Sequence, residues 1–438
     1  MGIPLGGKRG RRSYADYRPP GRKQPPRNDF FRIMIYLAII GGAIWVYLNP
    51  FTAQGWLQNV LPTSAPVVSN PGPDGSAEAT VVLSPDQLVP QAESKFHAGD
   101  LDGAIDLYGQ AAQAAPNQVE VHVALTRMLL FRSALQVGGQ RDITLQAALQ
   151  AGNRAILADP ERPEGYAIYG KVLDWSGKPD EATVQIARAL EINKDDAVAQ
   201  SYMAEALVDL QRYDQAQNTI GIAIGLGPND IDVLRDYGFV FESLGDYESA
   251  SKQYEKVLAI EPNLAYVKMD LARAYRTIGR YNDALDQLFA VDTIVPKNAL
   301  VQFELGRTYE TYIGDPTNAI KYYQNATEID PNYALPWVRL GTLHYLQASW
   351  DQAVPSFEHA INLGVTGNLN VYYQLGISYE NLNKCPQAVV NLRKAQALVP
   401  PDDKDTQKKI EEGLAKCPQA LTPTAPPVTP SATPTKKP

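Results

Sequence analysis

The sequence predicts an all-α protein, a solenoid of helical hairpins, and three in-phase columns of small residues predict it. The first column is Gly170, Ala204, Gly238, Ala272, Gly306, Gly341 and Gly376, spaced by 34 or 35 residues. Twelve or thirteen residues behind each comes Ala182, Ala216, Ala250, Ala284, Ala319, Ala353 and Ala388. Seven further on stand Ala189, Ala223, Val257, Val291, Ala326, Ala360 and Ala395. Small side chains in such register mark places where helix backbones cross with no room for anything larger. Between the columns, apolar residues recur at i, i+3, i+4 and i+7 on either side of turns such as Leu244-Gly245-Asp246-Tyr247, which reads as two short helices per unit. Pro228, Pro262, Pro296, Pro331 and Pro400 close their units, because proline lacks an N–H and disfavours helix in the residue before it. No unit buries its apolar face alone, so the units must stack.

Taken in order, residues 1–29 are rich in Arg, Gly and Pro without apolar periodicity, and they are expected to be a disordered basic segment. Residues 30–50 begin with the uncharged run from Ile33 to Leu48, and no charge follows Arg32 until Asp74. A bilayer core of ~30 Å needs about 20 helical residues, so a transmembrane helix is expected here. Phe30, Phe31 and Tyr36 mark one interface, and Trp45, Tyr47, Phe51 and Trp56 the other. A cleaved signal peptide is the rival reading, but Phe51 lies where a small residue is wanted before a cut after Ala53. Residues 51–83 are Pro-, Ser-, Thr- and Ala-rich and read as a flexible linker.

The solenoid is expected over 84–400. Its first unit starts at Ser84-Pro85-Asp86, a helix cap with proline in the first turn. The second runs from Pro116 to Pro160 with extra residues around Gln136–Thr144, which must loop out or lengthen its helices. Seven regular units follow, making nine. Residues 401–418 form a polar amphipathic helix suited to capping the open end, and 419–438 are a Pro/Thr-rich tail expected to be disordered.

The pattern resembles the tetratricopeptide repeat family. The unit Trp337-Val338-Arg339-Leu340-Gly341-Thr342-Leu343-His344-Tyr345, with Trp350-Asp351-Gln352-Ala353 and Phe357-Glu358-His359-Ala360, follows the family pattern almost throughout. The resemblance implies a right-handed α-solenoid of helix-turn-helix repeats, so that with the segments above the expected chain is about nine such repeats plus a capping helix, preceded by one transmembrane helix. It implies a non-catalytic binding scaffold, not a particular partner. In that family the first helix of each unit lines the concave side. The corresponding columns here supply Arg235, Phe239, Tyr266, Met269, Arg273, Arg276, Phe303, Arg307, Tyr345 and Tyr373 as a partner-binding groove, with Glu242 and Glu310 among them. They lack the Lys/Asn pairing with which some members clamp a C-terminal carboxylate. Arginine forks interleaved with aromatics suit a protein or peptide segment that is acidic with bulky apolar residues. The competing reading is that these arginines only neutralise Glu242 and Glu310.

Composition narrows the rest. The formal net charge is −8, yet residues 1–32 hold nine Lys/Arg against two Asp, a net of +7 that leaves −15 for the remainder. An acidic body argues against a nucleic-acid partner. The basic run ahead of the apolar segment places the N-terminus in the cytoplasm and the repeats outside it. Four histidines, with no His-Glu-x-x-His and no Cys-x-x-Cys, give no metal site, no cofactor and no catalytic constellation. Cys385 occupies an inter-helix turn and Cys417 ends the capping helix. In a stacked hairpin array those two points return to one level, so a Cys385–Cys417 disulfide is expected. The functional expectation is a membrane-anchored scaffold for a cell-envelope complex of bacterial type. The alternatives are a substrate-recruiting subunit of a membrane enzyme and a glycan- or cell-wall-binding module.

Overall fold

A computed structural model describes residues 83–418. The expected basic segment 1–29, transmembrane helix 30–50, all but the last residue of linker 51–83, and tail 419–438 lie outside the described residues. Among the described residues there are nineteen helices and no strand, and no helix is long and apolar enough to cross a membrane.

Eighteen of the helices pair as nine hairpins. The first three are α1 (Pro85–His97) with α2 (Leu101–Ala114), α3 (Val119–Ser133) with α4 (Gly138–Ala158), and α5 (Pro163–Trp175) with α6 (Pro179–Ile192). The middle three are α7 (Ala197–Asp209) with α8 (Tyr213–Leu226), α9 (Ile231–Ser243) with α10 (Tyr247–Ile260), and α11 (Ala265–Thr277) with α12 (Tyr281–Ile294). The last three are α13 (Ala299–Thr308) with α14 (Pro316–Ile329), α15 (Ala334–Leu346) with α16 (Trp350–Asn362), and α17 (Leu369–Asn381) with α18 (Cys385–Gln396). A final helix, α19 (Lys404–Ala415), packs on the ninth hairpin.

Local chemistry sets the ends. Asp100, Asp196, Asp230, Asp246, Asn298, Asp315 and Asn368 each accept a hydrogen bond from a backbone N–H of the helix they open, satisfying a donor that has no partner within the helix. The small-residue columns do what their spacing implies. A Cβ on Gly238 would stand 2.6 Å from the Tyr254 ring, and one on Gly341 would stand 2.6 Å from Phe357. Two of the irregularities in register have separate solutions. The extra residues of the second unit lengthen α4 to 21 residues. The single residue added between Gly306 and Ala319 is absorbed by a π-helical turn, Tyr309–Ile313, ending at Gly314 with φ +78°, the usual way an α-helix accommodates one insertion.

One feature is not legible in the repeat pattern: the solenoid packs back on itself. The first two hairpins meet the fifth to seventh. Phe131 of α3 stacks on Tyr266 of α11 with centroids 4.5 Å apart, and Phe96 lies 6.1 Å from Phe131. Arg127 pairs with Asp232 at 2.5 Å. Asn263 donates to the His97 carbonyl at 2.7 Å, and Asn298 to the Leu135 carbonyl at 2.8 Å. Glycine is required where the turn after α1 passes α12. Gly99 has φ +85°, and a Cβ there would meet Ile294 at 3.1 Å. Met128, Phe131, Leu135 and Val137 therefore share one apolar cluster with Tyr266, Met269, Phe303, Tyr333 and Leu340.

The distal end is closed differently. α19 buries Ile410, Gly413 and Leu414, with Gly413 allowing approach to Ile377 and Leu392. Cys385 and Cys417 are joined by a disulfide with a Cα–Cα distance of 5.3 Å. Lys416 adds an ion pair to Glu380 at 3.0 Å.

Candidate binding groove

The first helix of each hairpin presents its concave side through positions set by helical periodicity. Arg235, Phe239, Tyr266, Met269 and Arg276 on hairpins five and six, and Phe303 on hairpin seven, expected to line an accessible groove, are all buried. Over hairpins five and six α3 lies on the groove, with Phe131 stacked on Tyr266 and Arg127 paired with Asp232. Arg276 is covered by Glu304 and Thr308 of the next hairpin, and Phe303 by Tyr323 of its own hairpin and Tyr333 just ahead of the eighth.

Beneath α3 the groove carries a buried ionic network. Arg235 Nη1 donates to Glu205 at 2.8 Å and to Asp236 at 3.1 Å, and Nη2 donates to Asp270 at 3.2 Å. Its guanidinium also lies 5.4 Å from the Trp175 ring and 5.5 Å from the Phe239 ring. Lys171 Nζ pairs with Glu205, reaches Asp236 at 2.8 Å, and sits 4.3 Å from the centroid of Tyr202. Ser201 donates to Asp236 at 3.1 Å, and Tyr202 to Asp232 at 3.2 Å. Further along, Arg276 pairs with Glu304 at 2.6 Å and contacts the Thr308 hydroxyl at 3.1 Å. Burial opposes the charged form of Glu304, but Arg276 and Arg307 outweigh it and hold the carboxyl below its ordinary range. Desolvated pairs of this kind add little net stability, but they are expensive to break. They also fix register, since Lys171–Glu205, Arg235–Glu205, Arg235–Asp270 and Arg276–Glu304 each join neighbouring hairpins and Lys171–Asp236 joins the third to the fifth.

Asp236 stands apart. Burial, with Glu205 beside it, pushes its carboxyl up to about 7 despite Lys171 and Arg235. The ordinary value is 3.8, so the folded state holds this proton more tightly than the unfolded chain does. Stability from this group is fully present below pH ~4 and is lost as pH rises through ~7. Asp236→Asn is expected to flatten the stability profile across that window, measured as urea midpoints at pH 5, 6, 7 and 8. An unchanged slope would show that Asp236 is not the titrating group.

Hairpins seven to nine differ. Arg307 pairs with Glu304 at 3.4 Å and keeps 28% of its side chain exposed. Arg339 lies 3.5 Å from Glu310 and keeps 40% exposed. Tyr345 and Tyr373 are half-buried neighbours. Burial pushes the Tyr345 hydroxyl up, and a hydrogen bond with Tyr373 adds to it. Tyr345 also packs edge-on against Trp350 with centroids 5.4 Å apart. Arg273 lies at the border, 22% exposed, and pairs with Glu242 and with Asp270 at 2.6 Å. Of the expected groove residues, Arg273, Arg307, Tyr345 and Tyr373 thus remain reachable. Arg273 pairs with Glu242, and Arg339 stands 3.5 Å from Glu310.

Residue-by-residue reading missed the acids. Asp236, Asp270 and Glu304 occupy one column at 34-residue spacing, and Asp270–Arg273 and Glu304–Arg307 stand at i,i+3. Both signals were present in the sequence. Arg127 and Lys171 were not recoverable this way, because their partners depend on the closure and on stacking two hairpins away. Among the described residues, no group of three or more His, Cys, Asp or Glu is placed to hold a metal ion.

Comparisons with known proteins agree with this geometry at the level of fold. The human IFIT1 dimer with PPP-AAAA is 16% identical over 72% of each chain, with a TM-score of 0.50. The Cut9–Hcn1 hetero-tetramer of APC/C is 14% identical over 75% of this chain and 76% of that one, at a TM-score of 0.49. MamA is 26% identical over 44% of this chain and 98% of its own, at 0.35. No curated protein sequence matches the chain. Two tetratricopeptide repeat profiles match, one over residues 176–235 and 243–303 and the other over 299–333. The match to tetratricopeptide repeats is thus shown for residues 176–235, 243–303 and 299–333.

Proposed function

We propose that this chain is a membrane-anchored scaffold that holds a segment of a protein partner on the concave face of hairpins seven to nine. Tetratricopeptide repeats support the interaction role. The observation that carries the location is the contrast along the groove. Hairpins five and six have theirs covered by α3, whereas Arg307, Arg339, Tyr345 and Tyr373 stay partly accessible. Cationic forks beside half-buried tyrosines suit an acidic segment with bulky apolar residues. On this reading residues 30–50 span the membrane, the basic residues before them stay cytoplasmic, and the repeats help assemble a cell-envelope complex outside the cytoplasm.

A photoreactive amino acid placed at Tyr373, in the anchored protein in its native membrane, is expected to capture a discrete partner. The same group at Val184, 65% exposed on α6, is expected to capture none. Capture from Val184 alone would place the interface elsewhere. Protease added to protoplasts is expected to digest the repeats, and protection of the repeats would reverse the orientation.

A further inference from the structure

The groove position one residue past Arg235 carries an acid in three successive hairpins: Asp236, Asp270 and Glu304. Each is consumed by a groove arginine, Asp236 by Arg235 at 3.1 Å, Asp270 by Arg273 at 2.6 Å, and Glu304 by Arg276 at 2.6 Å. In the eighth hairpin the same position is Arg339, and in the ninth it is Gln374. The polarity of the ladder inverts there. Where Arg276 of one hairpin reaches Glu304 of the next, Glu310 faces Arg339 instead.

The inverted pair is a poor one. The Tyr323 hydroxyl donates to one oxygen of Glu310 at 2.6 Å, and the other oxygen stands 3.5 Å from Arg339 Nη1. Arg235 and Arg276 are 4% and 1% exposed, whereas Arg339 is 40% exposed. A guanidinium offers five N–H donors in a planar fork, and one long contact to an acid already held by Tyr323 uses little of that capacity. Apolar side chains are available on the same and the next hairpin: Tyr345 stands six residues on from Arg339 on α15 beside Tyr373 of α17, and Leu346 is 70% exposed at the end of α15.

We propose that Arg339 is the carboxylate anchor of the open groove, taking a side-chain Asp or Glu of the partner with that segment's adjacent bulky apolar residue against Tyr345 and Tyr373. This rests on the reading that hairpins seven to nine receive a partner segment. Arg307 is the less available cation, because Glu304 at 3.4 Å is 1% exposed and shared with Arg276. Glu310 acts as a competitor that the partner's carboxylate displaces, so its removal strengthens binding.

The full chain in detergent is titrated, by fluorescence anisotropy, with two pools of labelled 12-residue peptides. All are capped by acetyl and amide groups, so no terminal carboxylate is present. One pool carries Asp or Glu beside Phe, Leu or Trp, and the other carries Asn or Gln in place of the acid. Wild type is expected to favour the acidic pool by ~10-fold or more, the scale of one charge-assisted hydrogen bond. Arg339→Glu is expected to abolish that preference, Arg339→Lys to retain part of it, and Glu310→Gln to increase it. Glu310 is 15% exposed and accepts from the buried Tyr323, so urea midpoints are measured for all three variants. Should Arg339→Glu be destabilised, Arg339→Lys and Glu310→Gln, which keep the charge and the acceptor respectively, decide the assignment by the direction in which they move the preference. A preference that persists in Arg339→Glu overturns the assignment of Arg339 and leaves the groove intact. Binding of neither pool by wild type overturns the assignment together with the proposed function.

Discussion

Replacing Arg235 with alanine is expected to lower the unfolding free energy by about 3–5 kcal/mol, the cost of leaving buried charges without their partner. Three carboxylates depend on that guanidinium, Glu205 at 2.8 Å, Asp236 at 3.1 Å and Asp270 at 3.2 Å, and it is only 4% exposed. Lys171 continues to serve Glu205 and Asp236, and Arg273 continues to serve Asp270, which keeps the loss at the lower end of the range. Arg307→Ala is the matched comparison. It removes a 28% exposed side chain that stands 3.4 Å from Glu304, a carboxylate that Arg276 continues to hold at 2.6 Å, and it is expected to cost clearly less than Arg235→Ala. Urea unfolding of the two variants separates a buried structural arginine from a groove arginine. Equal losses would mean that the two arginines are held alike.

The second large effect lies at the other end of the solenoid. The Cys385–Cys417 bridge closes a separation of 32 residues, worth about 3–4 kcal/mol in the chain-entropy model. Removing it as Cys385→Ala/Cys417→Ala is expected to act locally. α19 buries only Ile410, Gly413 and Leu414, too little apolar surface to hold a 12-residue helix firmly without a tether. Amide exchange in α19 is expected to accelerate by on the order of 100-fold, with hairpins three to seven unaffected. Equal acceleration throughout would mean that the end cap and the body unfold as one unit.

The parts of this structure that sequence reading reached are those that repeat. The columns through Gly238 and Gly341 fixed the hairpin crossings because a Cβ has nowhere to go at either position. Turn and proline spacing fixed the helix boundaries. What it did not reach was set by contacts between hairpins far apart in the chain. Nothing in the repeat period says that Phe131 will stack on Tyr266, or that Arg127 will meet Asp232. A concave column therefore read as a surface when half of it was interior. Register alone also cannot tell a cation consumed by an acid, such as Arg276, from one that keeps its fork exposed, such as Arg339.

The concave face is divided, sealed by α3 over hairpins five and six and partly accessible at Arg307, Arg339, Tyr345 and Tyr373 on hairpins seven to nine. Hydroxyl-radical footprinting of the native full-length protein tests that division most directly, because the two halves carry comparable oxidisable side chains. Tyr345 and Tyr373 are expected to be modified readily, while Phe239, Tyr266 and Met269, at 4–5% exposure, stay protected until the protein unfolds. Oxidation of Tyr266 and Met269 as fast as Tyr373 would contradict the account, because it would mean that α3 does not cover the groove.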